Sequence, residues 1–149
     1  MRVLISDKAY DGIEKDYEQA ARLCLESEGI EPENVEISVA FVSNDDIKEL
    51  NTTYRGIDSV TDVLSFPQYE GIGDFPKTGD IFIGDVVISP DRAYEQAKEY
   101  GHTSEREFVY LFVHSMFHLM GYDHMNNEER AVMREKEERI MSLLKLERE

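Results

Sequence analysis

Between Ser104 and Met120 the chain is apolar on nearly every face of a helix. Phe108, Val109, Leu111, Phe112, Val113, Met116, Phe117, Leu119 and Met120 leave no polar stripe, and charge is confined to Glu105, Arg106 and Glu107 in the first turn. Acids there also suit the positive end of the helix dipole. A helix that is apolar all round must be buried all round, so the rest of the fold has to be assembled about it. The run is too short for the ~20 residues of a membrane span, so its surroundings are other parts of the protein.

The remaining segments supply those surroundings. Val3 to Ser6 reads as a short strand. Residues from about Asp11 to Glu28 carry Ile13, Tyr17, Ala20, Ala21 and Cys24 at helical spacing, with Gly29 as a stop. Val35 to Val42 alternates apolar and polar, the mark of a half-buried strand. Ser43 then caps a helix running to about Tyr54. Thr61 to Phe66 is strand-like and stops at Pro67, residues 68–77 form a loop, and Asp80 to Ser89 is a further strand. Gly84 inside that strand predicts a bulge or a close backbone approach. Ser89-Pro90-Asp91 opens another helix. Asn127 to Leu146 reads as an outer helix, with Val132, Met133, Ile140, Leu143 and Leu144 as its apolar residues. Helices alternate with strands, which predicts an α/β or α+β fold with a small sheet. With 149 residues and no repeat or linker, one domain over 1–149 is expected.

Composition removes several classes. The single cysteine, Cys24, excludes an internal disulfide and a cysteine-based metal site. It falls on an apolar helix face and reads as core. A net charge of -16 argues against indiscriminate coating of nucleic acid or membrane. The three-residue apolar stretch after Arg2 is far short of a signal peptide, so the cytoplasm is the expected compartment.

Three of the four histidines fall in His114-Ser-Met-Phe-His118-Leu-Met-Gly121-Tyr-Asp-His124. His114 and His118 are four residues apart, so they share a helix face with Cβ atoms ~5–6 Å apart. Gly121 stands where the helix should end, and a glycine there lets the chain turn back and bring His124 to the same point. Two imidazoles buried side by side are costly to desolvate unless something pairs with them, and a metal does so. Three imidazoles with an open fourth position make a catalytic arrangement. Zn2+ is the expected ion, although imidazole also suits other divalent transition metals. His102 stands apart, in a loop before the central helix.

The histidine spacing matches one group of zinc proteases, which carry a glutamate base directly after the first histidine. Here that position is Ser115. A hydroxyl of ordinary acidity does not replace a carboxylate base at neutral pH. The spacing therefore reads as a metal hydrolase without the protease's base.

The same segment resembles the signature of the bacterial YbeY-type endoribonucleases. Leu50-Asn-Thr-Thr-Tyr-Arg-Gly56, Thr61-Asp-Val-Leu-Ser-Phe-Pro67 and Gly84-Asp-Val-Val-Ile-Ser89 fit that pattern in the same order. The resemblance spans about residues 35 to 124. It departs at Ser115, where the pattern usually has glycine. It implies a small mixed β-sheet with surrounding helices and a buried central metal-bearing helix. It also implies a metal-dependent nuclease for single-stranded RNA, acting in 3′-end maturation of small-subunit rRNA and in ribosome quality control. His114, His118 and His124 carry over as metal ligands, and Arg55 as the residue that meets an RNA phosphate. The implied partners are single-stranded rRNA and the small ribosomal subunit or its proteins, with no membrane and no DNA.

Arginine's planar fork matches two phosphate oxygens. Arg55, Lys77, Arg92, Lys98 and Arg106 are the candidates for a basic cleft that would offset the overall charge. Asp62, Asp85 and Asp123 are the nearest carboxylates by motif. Asp123 reads as a ligand-orienting or turn-capping residue, and Asp62 and Asp85 as strand-end acids satisfying loop amides. Two other readings stay open at this point: a metal-dependent hydrolase of a peptide or amide bond, and a non-catalytic, zinc-containing ribosome assembly factor.

Overall fold

A computed structural model describes residues 1–6 and 12–146. Strands β1 (Arg2–Ile5), β2 (Val35–Phe41), β3 (Val63–Pro67) and β4 (Ile81–Ile88) form one sheet in the order β1-β2-β4-β3. The pairs β1/β2 and β2/β4 are parallel, and β3 runs antiparallel to β4. The sheet is therefore mixed, as the resemblance implied. The helices are α1 (Glu14–Ser27), α2 (Asn44–Arg55), α3 (Pro90–Tyr100), α4 (Ser104–Leu119) and α5 (Asn127–Leu143). Asp11, the expected start of α1, lies outside the described residues.

Helix α4 is the buried centre. It packs against α1, α3, α5 and the sheet. Its start is capped by the Thr103 hydroxyl, which accepts from the Arg106 N–H at 3.1 Å. Tyr17 of α1 stacks on Phe112 at 4.2 Å between ring centroids, and its hydroxyl donates to the Phe108 carbonyl. Strand β2 alternates as expected, with Val35, Ile37, Val39 and Phe41 all buried. The opposite face of the sheet carries a second, smaller cluster of Ile47 from α2, Leu64 and Val87. The sheet is thus covered on both faces near β3 and β4.

Gly84 proves to be both a bulge and a close approach. The β2/β4 register shifts between Glu36 and Ile37, so that Ile83 is passed over and Ile37 pairs with Gly84. Gly84 has φ 147°, and a Cβ there would sit 2.4 Å from the Phe66 carbonyl oxygen.

Helix α5 packs differently from its sequence reading. Met133, Ile140 and Met141 are buried, whereas Val132 and Leu143 face outward. Cys24 is wholly buried, as expected for a core residue. Burial, and then the charges of Glu137 and Glu28, push its thiol well above the usual range. Among the described residues, no helix is long and apolar enough to cross a membrane.

Candidate metal centre

The end of α4 sets the geometry. The Tyr122 N–H bonds the Phe117 carbonyl at 2.9 Å, and the Gly121 N–H bonds the His118 carbonyl at 3.0 Å. This is a Schellman turn, with Gly121 in the positive-φ position at 101°. The accompanying apolar contact is also present, as Phe117 and Tyr122 meet edge to face at 5.8 Å. A Cβ on residue 121 would lie 2.9 Å from the Gly71 Cα, so the loop before β4 closes against the turn. The turn reverses the chain and brings His124 back to the helix. Its ring centroid lies 4.8 Å from that of His118 and 5.3 Å from that of His114. One nitrogen from each of the three lies within 4.8 Å of the others.

The outer nitrogens are committed. The His118 Nδ1–H donates to the Tyr122 carbonyl at 2.9 Å. A carbonyl only accepts, so the proton is on Nδ1 and Nε2 holds a lone pair. The His114 Nδ1–H donates to a Glu137 carboxylate oxygen at 2.5 Å, which sets the same tautomer. The two Nε2 atoms face each other at 3.2 Å. Two lone pairs at that distance repel unless an electron-poor centre lies between them. Nitrogens bound at ~2.0–2.1 Å to one tetrahedral metal lie about this far apart, so the donor set fits a metal ion. Burial, followed by the neighbouring His114, lowers the His118 pKa to about 4. His118 is thus neutral at physiological pH, the form that ligates metal.

Glu137 comes from α5 and is 3% exposed. Its other oxygen accepts from the Tyr110 hydroxyl at 2.9 Å. The carboxylate is therefore held from both sides while it orients His114. We expect Glu137→Gln to weaken zinc affinity by roughly 10–100-fold without unfolding the protein. Competition titration against a chelator, beside a thermal melt, checks this. A second tie holds the turn itself. The Tyr122 hydroxyl donates to Glu28 at the end of α1, and Lys136 of α5 bonds the other Glu28 oxygen at 3.1 Å. The Lys136 ammonium also lies 5.0 Å from the Tyr122 ring centroid.

The histidines open onto a cavity of about 530 Å³ between the turn, β3 and the end of α2. Arg55, Asp62, Ser65, Glu70 and Asp123 also line it.

A family model described as "Endoribonuclease YbeY" matches residues 5–145. The chain belongs to the endoribonuclease YbeY family. A relative of that name from Caldanaerobacter subterraneus subsp. tengcongensis is 50% identical, over 99% of this chain and all of the relative. Another, from Clostridioides difficile, is 45% identical over 98% of this chain and 99% of its own. The solution structure of a Thermotoga maritima protein superposes with a TM-score of 0.59 at 27% identity, covering 97% of this chain and 91% of that one.

Within this YbeY-family chain, the expected site residues separate clearly. His114, His118 and His124 come together, and Arg55 shares their cavity. The basic cleft expected from the sequence does not form among the described residues. Arg55 is the one lysine or arginine among the described lining residues. Arg106 is buried, and its Nε–H donates to the Leu146 carbonyl at 2.7 Å. Arg92 pairs with Glu95 on its own helix, and Lys77 and Lys98 do not line the cavity. Asp123 caps the turn, accepting from the His124 N–H at 2.8 Å. Asp62 accepts from the Val63 N–H and from Gln96, so it holds the start of β3. Asp85 lies within β4, away from the cavity lining. Ser115 is wholly buried, and its hydroxyl bonds that of Ser65 at 2.6 Å, which ties α4 to β3. His102 lies outside the histidine group, its backbone N–H bonded to the Ala97 carbonyl.

Sequence reasoning missed the roles of Glu137 and Tyr122. Glu137 did leave a signal. It lies four residues after Met133 and three before Ile140, so it is a charge in the register of the buried stripe.

Proposed function

We propose that this chain is a metal-dependent endoribonuclease cutting single-stranded RNA in 3′-end maturation of small-subunit (16S) rRNA and in ribosome quality control. Residues 1–149 form its single catalytic domain, and the cytoplasm is its compartment. The observation that carries the reading is the pair of facing Nε2 lone pairs, 3.2 Å apart, on the wall of a cavity that also holds Arg55. His114, His118 and His124 hold one Zn2+ and leave a position open toward the cavity. When bound, such an ion polarises a phosphoryl oxygen and acidifies water. The Glu137 carboxylate and the Tyr122 carbonyl keep both helix imidazoles in the ligating tautomer. Arg55 places its guanidinium fork on the phosphate. Family membership supports RNA as the substrate. Ser115 argues against the peptide-hydrolase alternative, because its buried hydroxyl is spent on Ser65. The cavity beside the histidines argues against a purely structural metal.

The testing experiment is cleavage of a 3′ segment of small-subunit rRNA by zinc-loaded protein. Single-stranded and base-paired forms run side by side, with a chelator and zinc re-addition as controls. Cleavage of the single strand that falls with chelator and returns with zinc is expected. Intact RNA beside metal-dependent hydrolysis of a peptide would overturn the reading. We expect Arg55→Ala to lower kcat/KM by about 10–100-fold through loss of a charge-assisted contact. Because Arg55 is the one lysine or arginine among the described residues lining the cavity, the salt dependence of RNA binding should flatten by a log–log slope of about 0.7.

A further inference from the structure

Strand β3 is an edge of the sheet, with β4 on one side and no strand beyond it among the described residues. In an antiparallel pair, residues alternate between those bonded to the partner strand and those whose N–H and C=O point away from it. Two bonds fix the phase for β3. The Ser89 N–H donates to the Asp62 carbonyl, and the Gln68 N–H donates to the Ile83 carbonyl. The bonded positions are therefore 62, 64, 66 and 68, and the outward positions are Val63, Ser65 and Pro67. Strand β4 agrees, because the carbonyl of Ile88, opposite Val63, is bonded on its far side to the Val42 N–H.

Each outward position meets the open edge differently. The Val63 N–H is capped by the Asp62 carboxylate at 2.8 Å. Pro67 has no N–H, and an outward edge position is one that proline tolerates. Among the described residues nothing caps the Ser65 N–H, so of the three outward positions it alone keeps an open donor. An open donor on a sheet edge is a feature that proteins commonly cover or remove. Here the two neighbouring donors are removed and this one is kept. Val63, Ser65 and Pro67 all line the cavity that holds the histidines and Arg55.

We infer that the substrate strand lies along the open edge of β3, with the Ser65 backbone N–H donating to a phosphate oxygen of single-stranded RNA. The inference rests on the endoribonuclease reading and adds to it a binding line between Arg55 and the histidines. A peptide N–H bonding a phosphate is charge-assisted and needs no positive side chain. It therefore suits a cavity with so little basic charge. An extended edge also demands an extended ligand, which a single strand provides and a stiff duplex does not.

Substituting proline removes the donor. Ser65→Pro deletes the N–H at an outward edge position, where the ladder with β4 loses no bond. Ser65→Ala is its comparator, since it loses the hydroxyl and the tie to Ser115 but keeps the N–H. With zinc-loaded proteins, Ser65→Pro should bind single-stranded RNA roughly 10–100-fold more weakly than Ser65→Ala. Equal binding by two folded variants would overturn the inference. Amide hydrogen exchange on the unaltered protein decides the matter even if the proline variant does not fold. Addition of a phosphorothioate single-stranded RNA should slow exchange at Ser65 and leave the already capped Val63 little changed. RNA that binds without slowing Ser65 would overturn the inference while leaving the nuclease reading intact. An unaltered protein that neither binds nor cuts single-stranded RNA would instead overturn the nuclease reading, and the inference with it.

Discussion

Replacement of His118 by alanine is expected to abolish zinc binding and lower RNA cleavage on the order of 10³-fold, the loss of several kcal/mol of electrophilic stabilisation. His118 stands between the other two imidazoles, with its Nε2 3.2 Å from that of His114 and its ring 4.8 Å from that of His124. Without it, the remaining two nitrogens make a site too sparse to hold zinc in competition with buffer and chelator. The fold should survive. In the metal-free protein, the substitution removes one of two opposed lone pairs, together with an imidazole that burial keeps from protonating. Thermal melts with and without zinc make the test. Zinc should raise the Tm of the parent, because a ligand that binds only the folded state stabilises it by mass action, and should leave the variant unmoved. A variant that still binds zinc as tightly as the parent would remove His118 from the ligand set.

Gly84→Ala is expected to cost about 3 kcal/mol and to lower Tm on the order of 10 °C. Two penalties combine. The φ of 147° is one that L side chains rarely adopt, and the new Cβ would meet the Phe66 carbonyl oxygen at 2.4 Å. The tip of the buried Leu119 side chain lies 2.8 Å from the same point, and the Phe66 oxygen belongs to the backbone of β3. Relief therefore requires β3 to shift away from β4. Since β3 walls the cavity, cleavage should fall further than the fraction of unfolded protein explains. Denaturant melts set beside kcat/KM measured well below the variant's Tm check both parts. A Tm unchanged from the parent would show that the bulge accommodates a side chain.

What could be read from the sequence follows from how each feature arises. Helix α4 was legible because its apolar surround and its stop at Gly121 are both local, although its cap at Thr103 was not singled out. The histidines were legible because their spacing of four residues and the glycine between are also local. Strand β2 showed through its period of two. Glu137 was hidden because its meaning lies across 23 residues, in a contact with His114 that only the docking of α5 creates. On its own helix it resembles the solvated acids around it. The basic cleft failed for the converse reason. Arg106 looks like a surface cation in the charged first turn of α4, yet that turn is covered by the chain near Leu146. Charge predicts exposure only until tertiary packing supplies a partner. The parity of β3, which singles out Ser65, depends on its register with β4, and sequence does not show that.

The carboxylate that orients His114 and the lysine that helps to tie Tyr122 both lie on α5, downstream of all three histidines. A ribosome making this chain therefore emits the imidazoles before the groups that fix their tautomers. Until α5 has been synthesised and docked, His114 has no partner to hold its proton on Nδ1, and the turn lacks its anchor to Lys136. The metal centre is accordingly completed late in translation.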